Sequence, residues 1–264
     1  MEILGYMAAT LIGISLGLIG GGGSILTVPV LVYLFHISAV QATSYSLFIV
    51  GSTSLVGAYR NYRKDQVNVR IALLFGLSSI TTVYIIRKFI IPRIPAKILS
   101  IGHFDITKSL LTMVLFAVLM LLASTAMIRG NRKKATAITE AGASPVLQLI
   151  LSGIGIGLVT GLLGAGGGFL LIPTLVILLN MPMKEAVGTS LLIIALNSLI
   201  GFTGDIGTQV IDWPFLLTIA AIAITGILAG SWMSKWISGD KLKKGFGWFV
   251  LTMGVYILIK EILL

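Results

Sequence analysis

Near its start the chain reads Gly20-Gly21-Gly22-Gly23-Ser24-Ile25-Leu26-Thr27-Val28-Pro29, a glycine run that opens into an apolar segment. A similar stretch follows later as Gly164-Ala165-Gly166-Gly167-Gly168-Phe169-Leu170-Leu171-Ile172-Pro173. Glycine runs release the backbone from helical geometry, and each of these lies between strongly apolar segments. Inside a bilayer, such a break requires protein or a polar cavity to satisfy its amides. The amides that open the following helix are then available to a ligand, preferably an anion.

The composition is that of a polytopic membrane protein. Of the 264 residues, 56% are hydrophobic and 11% charged, and the mean hydropathy is +1.04. The net charge of +10 comes from Lys and Arg between apolar spans, where they orient a protein in a membrane, so nucleic acid is not an expected partner. The chain has no cysteine and two histidines, which excludes thiolate and histidine metal clusters, and we expect no cofactor.

Ten apolar runs predict an all-α protein with about ten membrane segments. They fall at about 3–19, 24–36, 40–59, 71–86, 107–128, 146–163, 169–180, 186–204, 213–234 and 246–263. The second run of each half is too short to span a bilayer, so both are expected to be broken helices. The first run lacks a basic segment before it and is expected to be retained in a multi-pass protein of the inner or plasma membrane.

The two halves of the chain are copies of each other. Residues 12–57 align without a gap with the residues 144 positions later. The identical pairs include Gly20 with Gly164, Pro29 with Pro173 and Ser46 with Ser190. We therefore assign residues 1–128 and 146–264 to two five-segment repeats, joined by a basic cytoplasmic linker at 129–145.

Charge predicts that the repeats are inverted. The loop after the third span is basic (60–64), whereas its counterpart at 204–212 has no Lys or Arg. The positive-inside tendency places the first loop in the cytoplasm and the second outside. One segment disagrees, because Arg87, Lys88, Arg93, Lys97 and Lys108 would lie outside in this scheme.

The polar residues within the spans are mostly small and neutral, and the acids fall in loops or at span ends, which does not favour a cation pump. Hydroxyls and an amide near two helix starts suit a small oxyanion. The alternative is that Ser, Thr and Gly only allow close helix packing. The candidate substrate-binding residues are Gly22, Gly23, Ser24, Ser44, Ser46, Gly167, Gly168, Thr189, Ser190 and Asn197.

Other residues have weaker assignments. Pro29 and Pro173 lie within the short helices, which they are expected to kink. His36 is expected to be interfacial and Asp205 a solvated loop acid, with a part in proton coupling as the alternative for each. Arg60 and Arg63 could attract anions to the cytoplasmic mouth, although topology signalling alone explains them. No Ser/His/Asp or paired-carboxylate constellation emerges, so the chain is not expected to be an enzyme.

At the two glycine runs and at Ala42-Thr43-Ser44-Tyr45-Ser46-Leu47, with its second copy Ala186-Val187-Gly188-Thr189-Ser190-Leu191, the sequence resembles the sulfite exporter TauE/SafE family. The resemblance extends over both halves. It implies a permease for a small sulfur-containing anion, such as sulfite or a sulfonate. Two other classes stay open, a passive anion channel and a membrane scaffold or sensor without transport. Assembly as a homodimer is also left open.

Overall fold

The structure is a computed structural model that describes residues 2–95, 97–101, 104–129, 145–164, 166–179, 181–207, 209–234, 236 and 239–263. Its first half contains α1 (Glu2–Ile19), a 3-10 segment (Gly21–Leu26), α2 (Thr27–Tyr33), α3 (Ala39–Tyr62), α4 (Val69–Ile85), a π-helical segment (Ile86–Ile90), a 3-10 turn (Ile91–Arg93), β1 (Lys97–Ile101), β2 (Phe104–Thr107) and α5 (Lys108–Arg129). The second half contains α6 (Pro145–Leu163), α7 (Gly168–Leu178), α8 (Met183–Asp205), α9 (Trp213–Met233) and α10 (Gly239–Leu263).

The predicted all-α membrane fold is confirmed. Among the described residues, four helices are long and apolar enough to cross a bilayer: Val69–Arg93, Lys108–Thr125, Met183–Asp205 and Trp213–Met233. Shorter apolar helices accompany them at Leu4–Ile19, Gly23–Tyr33 and Leu147–Leu163, of which only Gly23–Tyr33 lies where a short segment was predicted. The small antiparallel hairpin of β1 and β2 was not predicted; it follows the 3-10 turn at Ile91–Arg93, which contains Pro92.

The starts of α4 and α9 show that the duplication extends into the side-chain contacts. Asn68 and Asp212, 144 positions apart, each precede the first residue of a helix and accept a hydrogen bond from the amide three residues on. Their own amides donate to Thr189 Oγ1 at 2.9 Å and to the Tyr45 hydroxyl at 2.7 Å. Thr189 and Tyr45 are again 144 positions apart, so the two helix caps are built in the same way.

Close contacts at glycines fix the directions of the helices. A methyl group on Gly51 would lie 2.9 Å from Leu199 Cγ, and one on Gly57 would lie 3.1 Å from Leu191 Cδ1, so α3 and α8 are antiparallel. Glycines farther along α1 lie against residues farther along α9, and the same holds for α6 against α4. Both pairs of helices are therefore parallel. Corresponding helices α3 and α8 therefore run in opposite directions, as inverted repeats require.

The two halves are interleaved rather than separate. α1 packs against α9 of the other half, α4 against α6, and α5 against α10. Helix α5 ends at Arg129 and α6 begins at Pro145, while Arg132, Lys133 and Lys134 of the predicted linker lie outside the described residues. The division into repeats at 1–128 and 146–264 stays a prediction about sequence ancestry, because each repeat completes its packing with the other.

The α1–α9 contact provides a test of this packing. Gly13 meets α9 so closely that a side chain there would overlap the Ala223 carbonyl oxygen and lie 2.9 Å from the Gly226 Cα. We expect Gly13→Leu to lower the free energy of unfolding by about 1–3 kcal/mol or more, because backbone has to move. Thermal unfolding of the purified protein in detergent measures the loss.

The matched control is Gly155→Leu on α6, because Gly155 is exposed and a methyl group there meets nothing within 4 Å. If Gly13→Leu unfolds at the same temperature as Gly155→Leu, then α1 and α9 do not make this contact.

Candidate functional site

Each glycine run turns the chain back along the helix that precedes it. Gly20 has a positive φ of 77° at the end of α1, and the following segment returns along α1, where Gly23 packs against Ser15 and Phe35 packs against Gly5. In the second half Gly167, with φ 67°, packs against Thr160 of α6. Positive φ angles at these positions are accessible to glycine at little cost, which explains why both turns consist of glycine.

The two returning segments begin against each other. A methyl group on Gly21 would overlap the Cα of Gly168, and a methyl group on Gly168 would overlap Gly21. Both runs also contact Ile194, at 2.5 Å from the Cβ position of Gly21 and 3.1 Å from that of Gly166. Ile194 lies midway along α8 (Met183–Asp205), so the segment starts meet in the interior of the helix bundle.

Helix α3 holds the second glycine run. Gly164, with φ 66°, lies against the backbone of Thr43, and Ser46 Oγ donates to the Gly164 carbonyl oxygen at 2.7 Å. Helix α7 begins directly after Gly167 with no side-chain cap. The Leu170 and Leu171 amides donate to the Gly167 carbonyl oxygen, so the amides of Gly168 and Phe169 are the ones that a side-chain cap would satisfy. They lie at the positive end of the helix dipole.

Several buried polar atoms near these runs have no hydrogen-bond partner among the described residues. Buried polar atoms without a partner are uncommon in proteins, and they often mark the place of a bound water, ion or ligand. Ser15 and Thr160 contact the glycine runs directly, and Ser198 Oγ lies 3.3 Å from the Cβ position of Gly166. The full set is Ser15 Oγ, Thr27 Oγ1, Ser44 Oγ, Ser54 Oγ, Arg87 Nε, Arg87 Nη2, Thr160 Oγ1, Asn197 Oδ1 and Ser198 Oγ.

The predicted substrate-binding residues divide into two groups. Gly23, Ser24, Ser46, Gly167 and Gly168 belong to the glycine runs or bond to them, and Ser24 Oγ donates to the Gly21 carbonyl oxygen at 2.8 Å. Gly22 lies in the 3-10 segment of the first glycine run, and Ser44 is buried on α3.

The second group is engaged elsewhere. Thr189 accepts from the Asn68 amide and Asn197 Nδ2 donates to Ser79 Oγ at 2.7 Å, so both bond to α4 or its cap. Ser190 Oγ donates to the Val187 carbonyl oxygen within α8. The binding roles of both groups stay predictions.

Of the remaining candidates, Pro29 is buried, whereas His36, Arg60 and Arg63 lie at or just beyond helix ends. Pro29 is the third residue of α2 and Pro173 lies within α7. His36 is exposed in the turn before α3, with φ 57°. Arg60 Nη1 donates to Ser231 Oγ at 2.7 Å and to the Leu228 carbonyl oxygen near the end of α9, and Arg63 is exposed after α3.

The expectation that Asp205 is a solvated loop acid is wrong. Its side chain is 1% exposed and its Oδ2 lies 3.0 Å from Nη1 of Arg87, which is wholly buried. Arg87 Nη1 also donates to Thr43 Oγ1 at 3.1 Å. The α4 helix continues through a π-helical segment that carries Arg87 into the bundle, so this residue is not part of a basic loop.

Sequence reasoning did not predict that Arg87 is buried and paired with Asp205. A local signal was present, since Arg87 and Lys88 stand between apolar residues, Ile85-Ile86 before them and Phe89-Ile90-Ile91 after them. That pattern allows the helix to continue past the charge. Its partner lies 118 positions away, however, and no spacing rule connects the two.

Comparison with known proteins agrees with this architecture. The family model for the sulfite exporter TauE/SafE matches residues 6–257. A probable membrane transporter protein of Xylella fastidiosa (strain 9a5c) is 29% identical over 94% of this chain and 91% of its own. The probable membrane transporter protein YdhB of Bacillus subtilis is 29% identical over 84% of this chain and 85% of its own.

A more distant relative is the probable membrane transporter protein MJ0441 of Methanocaldococcus jannaschii, 25% identical over 83% of this chain and 78% of its own. No solved structure matches the chain. The relatives are membrane transporters rather than enzymes. On the match of the family model over nearly its whole length, this chain is a multi-pass membrane protein that belongs to the sulfite exporter TauE/SafE family.

Proposed function

We propose that this transporter moves a small sulfur-containing oxyanion, sulfite or an organosulfonate, across the inner or plasma membrane by alternating access. One observation carries the proposal: the two glycine runs meet in the interior, next to the uncapped start of α7 and to buried hydroxyls that have no partner among the described residues. Hydroxyl and amide donors suit the oxygens of such an anion. The positive end of α7 favours its charge.

The inverted arrangement supports alternating access. Gly20 packs against Val187 of α8, and the corresponding Gly164 packs against Thr43 of α3. Each run therefore packs against the corresponding helix of the other repeat, at matching positions of the two antiparallel helices. Two conformations that exchange the roles of the repeats have similar packing, which is how inverted repeats open a central site to each side in turn.

A flux assay tests the proposal. We expect the purified protein in proteoliposomes to take up labelled sulfite and to accumulate it against its gradient when a pH difference is imposed. Unlabelled sulfonate should compete with the uptake. Equilibration without accumulation would identify a passive channel, and no uptake of any sulfur anion would favour a scaffold or sensor.

The contact between the glycine runs gives a second prediction. Gly168→Ala places a methyl group into Gly21, so the starts of the two segments must separate and the donors around them must shift. We expect uptake to fall at least about tenfold, the equivalent of about 1.4 kcal/mol. Uptake per reconstituted molecule is the measurement, with size-exclusion chromatography as the check on folding.

The control is Gly245→Ala in α10, because Gly245 is exposed and a methyl group there meets nothing within 4 Å. Equal uptake by Gly168→Ala and Gly245→Ala would show that the meeting point of the two runs has no part in transport.

A further inference from the structure

We propose that Arg87 is the cationic residue that binds the transported anion and that the site accepts a monoanion in preference to a dianion. The inference rests on the proposed function and adds the residue and the charge class. In this arrangement the Nε and Nη2 edge of the guanidinium binds two oxygens of the anion, while Asp205 and Thr43 hold Nη1 in place.

The hydrogen bonds of Arg87 are divided unequally over the guanidinium. Nη1 donates both to Asp205 Oδ2 at 3.0 Å and to Thr43 Oγ1 at 3.1 Å. Nε and Nη2 have no partner among the described residues although the whole side chain is buried. These two nitrogens carry the pair of parallel N–H groups that binds an oxyanion in a bidentate manner. Burying them without an acceptor is costly, and a bound oxyanion removes that cost.

Arg87 also lies next to the second glycine run. Thr43, which accepts from Arg87, is the residue against which Gly164 packs. The neighbouring Gly204 of α8 allows the approach, because its Cβ position is 3.0 Å from Arg87 Cβ. The guanidinium is thus one residue away from Gly164, which opens the glycine run that leads into α7.

An open pocket adjoins the same region of α3. It has a volume of about 340 Å³ and is lined by Ser38, Val40, Gln41, Gln209 and Val210. Thr43 Oγ1 donates to the Val40 carbonyl oxygen at 2.7 Å while accepting from Arg87. Thr43 therefore hydrogen-bonds both to Val40, which lines this pocket, and to the Arg87 guanidinium.

The corresponding positions at the other end of the bundle hold no ion pair among the described residues. The positions 144 residues away from Thr43, Arg87 and Asp205 hold Val187, Ser231 and Asn61. There Gly20 packs on the apolar Val187, and Ser231 meets Arg60 from another position. Helix α9 ends at Met233 as an α-helix, whereas α4 passes into a π-helical segment at Arg87. Such π-helical turns occur often at functional sites.

The charges around Arg87 favour an anion of one charge over an anion of two. Arg87 and Asp205 neutralise each other, and Lys108 at the start of α5 is near enough to interact electrostatically with both. The cluster therefore carries one positive charge in excess. A monoanion neutralises it, whereas a dianion leaves an uncompensated negative charge away from water, which is strongly unfavourable.

The experiment measures labelled sulfite uptake in proteoliposomes with methanesulfonate, a monoanion, and sulfate, a dianion, as competitors. For the unmodified chain we expect methanesulfonate to inhibit at least about tenfold more strongly than sulfate. Arg87→Lys keeps the charge but loses the bidentate edge, and we expect the apparent affinity for sulfite to fall at least about tenfold.

Two double variants separate binding from folding. Arg87→Gln with Asp205→Asn removes both buried charges together, and Arg87→Asp with Asp205→Arg restores an ion pair with the cation on α8. We expect both to remain monodisperse and to lose uptake, because neither has a guanidinium at position 87. Lys88→Gln is the matched control, since Lys88 is the adjacent cation but is exposed.

Uptake by either double variant at the rate of Lys88→Gln would overturn the role of Arg87 in binding the anion. The ion pair would then only support the fold, and the Nε and Nη2 edge of Arg87 would bind only water. Equal inhibition by sulfate and methanesulfonate would overturn the charge class. If the unmodified chain moves no sulfur anion, the proposed function fails and this inference with it. If the unmodified chain does so and Arg87→Lys is unaffected, this inference alone fails.

Discussion

The contact between Gly21 and Gly168 is the constraint on which the rest of the structure depends. Two backbones approach this closely only where neither residue has a side chain. The contact brings the starts of both returning segments to the middle of α8, and it therefore sets where α2 and α7 lie against their own preceding helices. The contact also places the two runs side by side, so that the buried hydroxyls which touch them lie in one region of the interior.

The distribution of polarity follows from the same arrangement. Helix α3 contains many hydroxyl and amide side chains, and it is surrounded by α8, α9 and α2. Helices on the outside present large apolar residues, such as Leu4 and Leu11 on α1 and Leu73 and Leu77 on α4. In water these exposed residues would be unfavourable, but lipid accommodates them. The bilayer thus allows the polar groups to be kept for the interior, where a polar site is needed.

Symmetry in the backbone coexists with asymmetry in charge. The caps at Asn68 and Asp212 are alike in their hydrogen bonds, whereas only one end of the bundle has the buried pair of Arg87 and Asp205 among the described residues. Removing two charges from water offsets much of their mutual attraction, so a buried pair is weak evidence for a stabilising role. Its presence at a single end is easier to understand as a difference between the two half-sites.

The all-α membrane class, the duplication and the two glycine runs could be predicted from the amino-acid sequence alone. These depend on local hydrophobicity, on glycine's freedom of φ and on the matching of residues 144 positions apart, all of which can be read along the chain. Only the tertiary structure decided that Thr189 and Asn197 bond to α4 and its cap and that Asp205 is buried against Arg87. Those outcomes depend on how α4 packs beside α8, and contacts between residues more than a hundred positions apart leave no periodicity in the sequence.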